Sequence, residues 1–308
     1  MTYDLVIVGE INPDLILRGT DLRPAFGQAE KLVDHADLTI GSSAVITACG
    51  AAKLGLKTAF VGVVGDDIFG RFMLTSMQEK NVDTSYCITD ATQATGFSII
   101  LSEPADRAIL TYAGSISSLH YEDINLNLFE DAKHVHLSSY FLLDALRPHV
   151  PKLFKSAKAK GLTTSLDTNW DPRETWDDGL NDVLDYTDVF LPNQAEALQI
   201  SKQTTLEAAV NILATRVSTL AVKLGAEGGL VQQDVTKYRS AVFPVDLVDT
   251  TGAGDSFNAG FLYGTLQSWP LELSLQFACA CGSLSTRAAG GTSAQASLAE
   301  ALSLLESR

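Results

Sequence analysis

Short apolar runs alternate with longer segments of helical period along most of this chain. Runs at Leu5–Val8, Thr58–Val64, His134–Ser138, Thr163–Asp167, Asp188–Leu191 and Thr219–Leu224 read as strands. Several are apolar throughout rather than alternating, the pattern of strands covered on both faces. Stretches near 43–55, 67–80, 145–160, 194–201 and 205–216 carry helical spacing between them, and beyond Asp255 helical spacing covers 255–267, 271–289 and 297–306. Gly229–Gln232 and Lys237–Val242 read as a hairpin at one side of the sheet. The alternation predicts an α/β fold with a doubly wound, mostly parallel sheet. Residues 15–40 and 86–119 break it with Gly, Pro and Asp. Each segment predicts a couple of strands of a small accessory sheet, a lid above the carboxyl ends of the main strands. No low-complexity linker or internal repeat divides the chain, so 1–308 reads as one domain containing that lid.

The length of 308 residues, 46% of them hydrophobic, supports a large core. A net charge of −15 argues against a backbone binder of nucleic acid. It also means that a bound nucleotide must be neutralised locally, by helix ends, a few Lys or Arg and a metal ion. Cys49, Cys87, Cys279 and Cys281 match no zinc spacing and read as buried thiols of a reducing compartment. The start, MTYDLVIVGEIN, lacks the charged region and apolar core of a signal peptide. No apolar stretch approaches the roughly 20 residues of a membrane span. A cytoplasmic protein without a membrane partner is expected.

The stretch Asp249-Thr-Thr-Gly-Ala-Gly-Asp255-Ser-Phe-Asn-Ala-Gly-Phe-Leu262 joins a glycine-rich turn to a helical run, with a carboxylate at the junction. Unpaired amides and the helix dipole make such a start an anion site. Gly252, Ala253 and Gly254 leave room for a phosphate, and Asp255 stands within reach of whatever attacks it. The plainer reading of Asp255 is a helix N-cap. Asn193 and Glu196 open a helix after a strand, either as groups orienting water around Mg²⁺ or as a capping box. Lys223, Gly225 and Gly228 end another strand in a turn over which a nucleotide could lie. Asn12 and Asp14 flank Pro13 after the first strand and suit a pair of sugar hydroxyls. Gly41 and Ser42 precede a helix and offer amides and a hydroxyl to a polyol, or a simple cap. Asp167, Asn169 and Arg173 place carboxylate, amide and guanidinium at the same rim.

Together these residues resemble the PfkB, or ribokinase-like, family of carbohydrate kinases. The most specific element is Asp249-Thr-Thr-Gly-Ala-Gly-Asp255-Ser-Phe-Asn-Ala-Gly260. Next come Gly41 through Gly70, with Lys53-Leu-Gly55 and Gly62-Val-Val-Gly65-Asp66-Asp67-Ile-Phe-Gly70, and Asn193-x-x-Glu196. The resemblance implies a three-layer α/β/α sandwich with a β lid, and transfer of the ATP γ-phosphoryl group to a sugar hydroxyl. It makes Asp255 the catalytic base and the amides of Gly252, Ala253 and Gly254 the anion hole. Asn193, Lys223, Gly225 and Gly228 fall on the ATP side, with Cys279 near the adenine where relatives often carry Asn. Asn12, Asp14, Gly41 and Ser42 fall on the sugar side. Glu196 with Asn193 matches the Mg²⁺ motif. Asp249 and the backbone of Thr251 match a monovalent-cation site, often K⁺, with a further loop near Ala288–Ser293. Two positions depart: Ser42 replaces a Gly, and Ile46 replaces an Asn that usually contacts the sugar.

The expected reaction is direct in-line transfer, with the helix start keeping Asp255 ionised. Lid closure is expected to exclude water and keep ATP hydrolysis slow without sugar. Asp167, Asn169 and Arg173, with Arg107 as an anion partner in the lid, suggest a polyhydroxylated or acidic sugar of the fructose, 2-keto-3-deoxygluconate or ribose class. Two alternatives stand beside it. One is a nucleoside kinase of the same family, for which Ile46 offers an apolar surface. The other is a sugar-binding regulator without catalysis, against which an intact Asp255 and glycine turn argue. Lid strands can pair across two subunits, which would give a homodimer.

Overall fold

The computed structural model describes residues 2–103 and 107–307. In chain order, β1 (Tyr3–Val8), β2 (Pro13–Arg18) and β3 (His35–Ile40) precede α1 (Ser43–Lys53) and β4 (Thr58–Val61). β5 (Val63–Gly65), α2 (Ile68–Glu79), β6 (Val82–Asp83), β7 (Ile88–Asp90), β8 (Phe97–Ser102) and β9 (Arg107–Tyr112) follow. Next come β10 (Ala132–Leu137), α3 (Val150–Ala159), β11 (Thr163–Leu166), α4 (Leu180–Leu184), β12 (Val189–Phe190), α5 (Gln194–Ser201), α6 (Leu206–Leu213) and β13 (Thr219–Lys223). β14 (Gly229–Gln233), β15 (Thr236–Ser240), α7 (Ala253–Leu266), α8 (Leu271–Ser285) and α9 (Leu298–Glu306) complete the chain.

Nine strands form the main sheet in the order β15-β14-β13-β12-β11-β10-β1-β4-β6. It is parallel from β13 to β6, and the β14–β15 hairpin adds an antiparallel edge. Alternation along β1 shows how the layers arise. Val6 and Val8 face a core shared with α3, α4, α5 and α6. Leu5 and Ile7 face a second core shared with α1, α2, α7, α8 and α9. Both faces of the sheet are therefore buried, which is why its strands read as continuous apolar runs. Burying each Phe or Leu contributes about 1.5–3 kcal/mol to each interface, and Phe154 and Phe190 on one side match Phe261 and Phe277 on the other, all essentially inaccessible.

One polar thread runs through this core. His134 Nδ1 meets Thr163 Oγ1 at 2.6 Å and its Nε2 meets Ser165 Oγ at 2.6 Å. The same Ser165 hydroxyl meets His136 Nδ1 at 2.7 Å, and His136 Nε2 meets Ser138 Oγ at 2.9 Å. Both rings are buried between β10 and β11, and their hydrogen bonds satisfy them as neutral imidazoles.

The second sheet has the order β3-β2-β8-β9 and comes from the two segments that interrupted the alternation. β2 and β8 pair in parallel and the flanking pairs are antiparallel. β7, expected to join it, instead pairs with β5. The run Thr58–Val64 divides at Gly62, where a Cβ would lie 2.6 Å from the Gly9 carbonyl oxygen. Its second half leaves the main sheet. α3 begins at Val150 rather than near 145, after a turn at Arg147–His149. α8 ends at Ser285, short of the predicted 289, and α4 was not predicted. Among the described residues no helix is long and apolar enough to cross a membrane.

Candidate active site

The carboxyl ends of the parallel strands deliver polar residues to one rim, the usual ligand position in an open α/β sheet. Glu10 follows β1, Asp167 follows β11, Asn193 and Glu196 follow β12, and Lys223 ends β13. The start of α7 faces them. Gly252, with φ of 72°, turns the chain into that helix in a left-handed conformation that disfavours other residues. A cavity of about 690 Å³ is lined by Asn169, Asn193, Glu196, Lys223, Gly254 and Asp255, among others.

Asp255 lies in the first turn of α7, half-buried, and its Oδ1 accepts a hydrogen bond from the Ser43 hydroxyl at the start of α1. Its backbone carbonyl accepts from Thr47 Oγ1 at 3.4 Å. Burial pushes the Asp255 carboxyl up to about 7; the Ser43 hydroxyl opposes the shift, Asp167 adds to it, Lys223 opposes it and Glu10 adds to it. The helix start was expected to keep this group ionised. Desolvation and neighbouring carboxylates outweigh the dipole here. Of the three amides expected at the anion hole, one is engaged within the turn. The Ala253 N–H donates to the Thr250 carbonyl at 3.2 Å, so it closes the turn. Gly254 lines the cavity directly.

Asp167 is the hub. Completely buried, its Oδ2 accepts from Lys223 Nζ at 2.6 Å and from Asn258 Nδ2 of α7. Burial alone would lower the Lys223 pKa, but Asp167 and Glu196 outweigh it and hold the ammonium above its ordinary value. Asn193 and Glu196 do form the capping box. Glu196 N–H donates to Asn193 Oδ1 at 2.9 Å, and Asn193 N–H donates to Glu196 Oε2 at 2.8 Å. Both also line the cavity, so cap and site coincide. Burial pushes the Glu196 carboxyl up, and Asp167 pushes it further. Three carboxylates, at 167, 196 and 255, thus share one ammonium, and among the described residues no group of three or more His, Cys, Asp or Glu is placed to hold a metal ion directly.

Just before α1, Asp14 on β2 packs against Gly41. A Cβ at Gly41 would lie 2.2 Å from Asp14 Oδ1. Asn12 Nδ2 donates to that same oxygen at 3.3 Å. Burial raises the Asp14 carboxyl to about 7, Glu10 adds to this and Arg107 opposes it. Glu10 is itself buried with its carboxyl raised by burial, and its Oε2 has no hydrogen-bond partner. Ser42 is the N-cap of α1: its hydroxyl donates to the Glu10 carbonyl at 2.7 Å and accepts from Val45 N–H at 3.0 Å. That hydroxyl is committed to the turn rather than offered to a ligand.

Asp249 Oδ1 accepts from Thr251 N–H at 2.9 Å, and Oδ2 accepts from Gly290 N–H at 3.0 Å, tying the two loops of the candidate cation site. These donors overcome burial and hold the carboxyl below the usual range, so it stays charged. Arg107, first residue of β9, donates to Thr251 Oγ1 at 3.4 Å. It lines the main cavity and a neighbouring one of about 1060 Å³ between the small sheet and residues 247–251.

Arg173 and Ile46 are engaged elsewhere, and Asn12, Asp14, Gly41 and Ser42, like them, line neither cavity. Arg173 lines neither cavity; its guanidinium pairs with Asp144 at 3.0 Å and Asp178 at 3.2 Å. Ile46 is also absent from both. Buried beneath the anion-site turn, it packs so closely that a Cβ at Gly291 would lie 2.4 Å from its Cδ1 and a Cβ at Gly252 3.0 Å from its Cγ2. Asn169 lines the cavity and donates to Ser139 Oγ at 2.6 Å. Gly225, Gly228 and Cys279 line it too, with an unpredicted apolar wall at Phe243, Val245 and Leu247. Its signal in the sequence was the apolar run Val242-Phe-Pro-Val after the hairpin.

A helix start, a carboxylate and a largely enclosed lysine at the rim of a parallel sheet define an α/β phosphotransferase. The model of the pfkB family carbohydrate kinases matches residues 2–297, and the chain belongs to this family. It is 30% identical over 300 residues to an ATP-dependent ribose-1-phosphate kinase of Halopiger xanaduensis, covering 97% of each chain. To an uncharacterized sugar kinase of Archaeoglobus fulgidus it is 31% identical over 231 residues, 72% of this chain and 88% of the other. The structure of Arabidopsis thaliana ribokinase complexed with ribose and ATP superimposes with a TM-score of 0.85 at 24% identity, covering 99% of each chain, and so shares the fold. The protein is a carbohydrate kinase with the ribokinase fold.

Proposed function

We propose that this kinase transfers the γ-phosphoryl group of ATP to a hydroxyl of a small sugar or sugar acid, with Asp255 accepting the hydroxyl proton. The observation that carries the reading is the placement of Asp255 in the first turn of α7, in one cavity with Lys223 and Asn193. Its carboxyl, pushed up to about 7, stands where a general base works best. The acceptor would lie between Asp255 and Asp14, with Asn12 and Gly41 completing its side. ATP would lie along Lys223, Gly225, Gly228 and the wall at Phe243, near Cys279. The small sheet, which carries both Asp14 and Arg107, acts as the lid.

Asn193 and Glu196 would hold the water shell of Mg²⁺, which when bound neutralises charge on the phosphates. Asp249 and the Thr251 backbone would hold a monovalent cation, for which the retained charge of Asp249 is suited. Arg107 supports an acceptor carrying an anion. A nucleoside acceptor loses its apolar support, because Ile46 is packed away from both cavities.

Replacing Asp255 by Asn tests the assignment. We expect kcat to fall on the order of 10²–10⁴-fold, with ATP affinity retained. Wild-type kcat/KM should decline as pH drops below about 7, as the base takes up its proton. Assays on ribose, fructose, 2-keto-3-deoxygluconate, sugar phosphates and adenosine, with and without K⁺, identify the acceptor. Near-normal turnover by Asp255→Asn would rule Asp255 out as the base.

A further inference from the structure

Asp255 already receives a hydrogen bond of the kind its acceptor must make. The donor is the Ser43 hydroxyl. A serine at a helix start ordinarily serves as the cap, but here Ser42 caps α1 by accepting from Val45 N–H. Nor is Ser43 needed to hold the Asp255 backbone. Thr47 Oγ1 reaches the Asp255 carbonyl, and Gln295 Nε2 joins the Ile46 carbonyl at 2.8 Å to Ser256 Oγ at 3.3 Å. Neighbouring Asn258 is held by Asp167. The first turn of α7 is thus fixed to α1 and to the sheet without the Ser43 side chain. Ser43 itself is half-buried, at the edge of the site, where a change of rotamer can release it.

We infer that Ser43 is a placeholder: in the sugar-free enzyme its hydroxyl occupies the acceptor's position on Asp255, keeps water from that position and is displaced by the incoming sugar hydroxyl. The inference rests on Asp255 being the base. It adds a means of suppressing ATP hydrolysis that is separate from lid closure. Water at the same place would donate to Asp255 and attack the γ-phosphorus. The P–O bond to ADP would break and the water proton would pass to Asp255, giving phosphate and ADP. A serine tethered to α1 blocks this route, since its hydroxyl fills the donor position. Three charged groups face Asp255 there: Glu10 beyond β1, Asp167 beyond β11 and Lys223 at the end of β13. Removing the Ser43 donor leaves their balance in place and takes away one group that favours the charged carboxylate.

The test compares Ser43→Ala, Ser43→Cys and Ser43→Thr with wild type. Cys keeps the volume with a weak donor, and Thr keeps the hydroxyl. Sugar-independent ATPase should rise about tenfold in Ser43→Ala, the scale of one hydrogen bond to a charged group. The sugar KM should fall, because nothing has to be displaced. Ser43→Cys should move both quantities the same way, and Ser43→Thr should restore low hydrolysis. The acid limb of the ATPase pH profile should shift to higher pH in Ser43→Ala. An ordinary structural role would lower turnover on sugar and ATPase together. Unchanged ATPase and sugar KM in both Ala and Cys variants would overturn the inference. If Asp255→Asn abolishes transfer while those variants behave as wild type, the placeholder fails and the base stands. If Asp255→Asn keeps turnover, both fail.

Discussion

At the scale of single residues, close approach shapes the side proposed for the acceptor. The Asp14 carboxylate rests where a side chain at Gly41 would begin, so Gly41→Ala must push that carboxylate away. A displacement of this size costs on the order of 10²-fold in kcat/KM for the acceptor. ATP affinity, measured by calorimetry, should not follow, because Gly41 does not line the cavity proposed for ATP. A parallel loss of ATP binding would instead mean that α1 had shifted. Such facts differ in how far the sequence reveals them. Asp255 and its glycines were legible as a turn opening a helix because that motif is local, within one turn. The Ser43 contact joins residues 212 positions apart, and no spacing rule signals it. Arg173 misled because it is tied to Asp178, five positions on, and to Asp144 from a distant segment. Ile46 misled because a family position was read without knowing what packs beside it.

Secondary-structure elements were legible where both faces of a strand are buried or where a helix is long. Failures came where tertiary contact overrides local pattern. Gly62 splits an apolar run because the Gly9 carbonyl leaves no room for a side chain. The neutral histidines of β10 show a further property of the element. Burial lowers His134 to about 3, with His136 and Lys158 adding to the shift, and His136 to about 4, where Asp167 opposes it and Lys223 adds to it. Their unfolded values lie near 6.5. The stability they contribute is therefore complete above pH 6.5 and is lost as pH falls from there toward 4. Two protons taken up only by the unfolded chain correspond to roughly 2.7 kcal/mol per pH unit. We expect wild type to lose stability against His134→Gln/His136→Gln at about that slope between pH 6 and 4, in urea titrations of both. Equal slopes would mean that the histidines charge in place.

For the molecule as a whole, the acid site acts in the opposite direction. Asp14 and Asp255, each raised to about 7, take up protons in the folded state where the unfolded chain does not. Their protonated forms favour folding below pH 7, and that contribution is lost as pH rises through 7. The ligand-free protein should then show a higher Tm at pH 6 than at pH 8.5. Asp255→Asn should narrow the gap, chiefly by stabilising the alkaline sample. A gap of the same size in the variant would place the titration elsewhere in this chain of net charge −15.

The shared oxygen of Asp167 carries a consequence for how such an enzyme diversifies. One atom, Oδ2, receives Lys223 of β13, on the side proposed for the nucleotide, and the Asn258 amide of α7, the helix of the proposed base. Exchanging Lys223 to accommodate another phosphate donor would retune the proton acceptor at the same stroke. Changes at Asn12 or Gly41 carry no such crosstalk. New acceptor alcohols are thus open to stepwise mutation, whereas a new donor requires compensating changes on two elements at once.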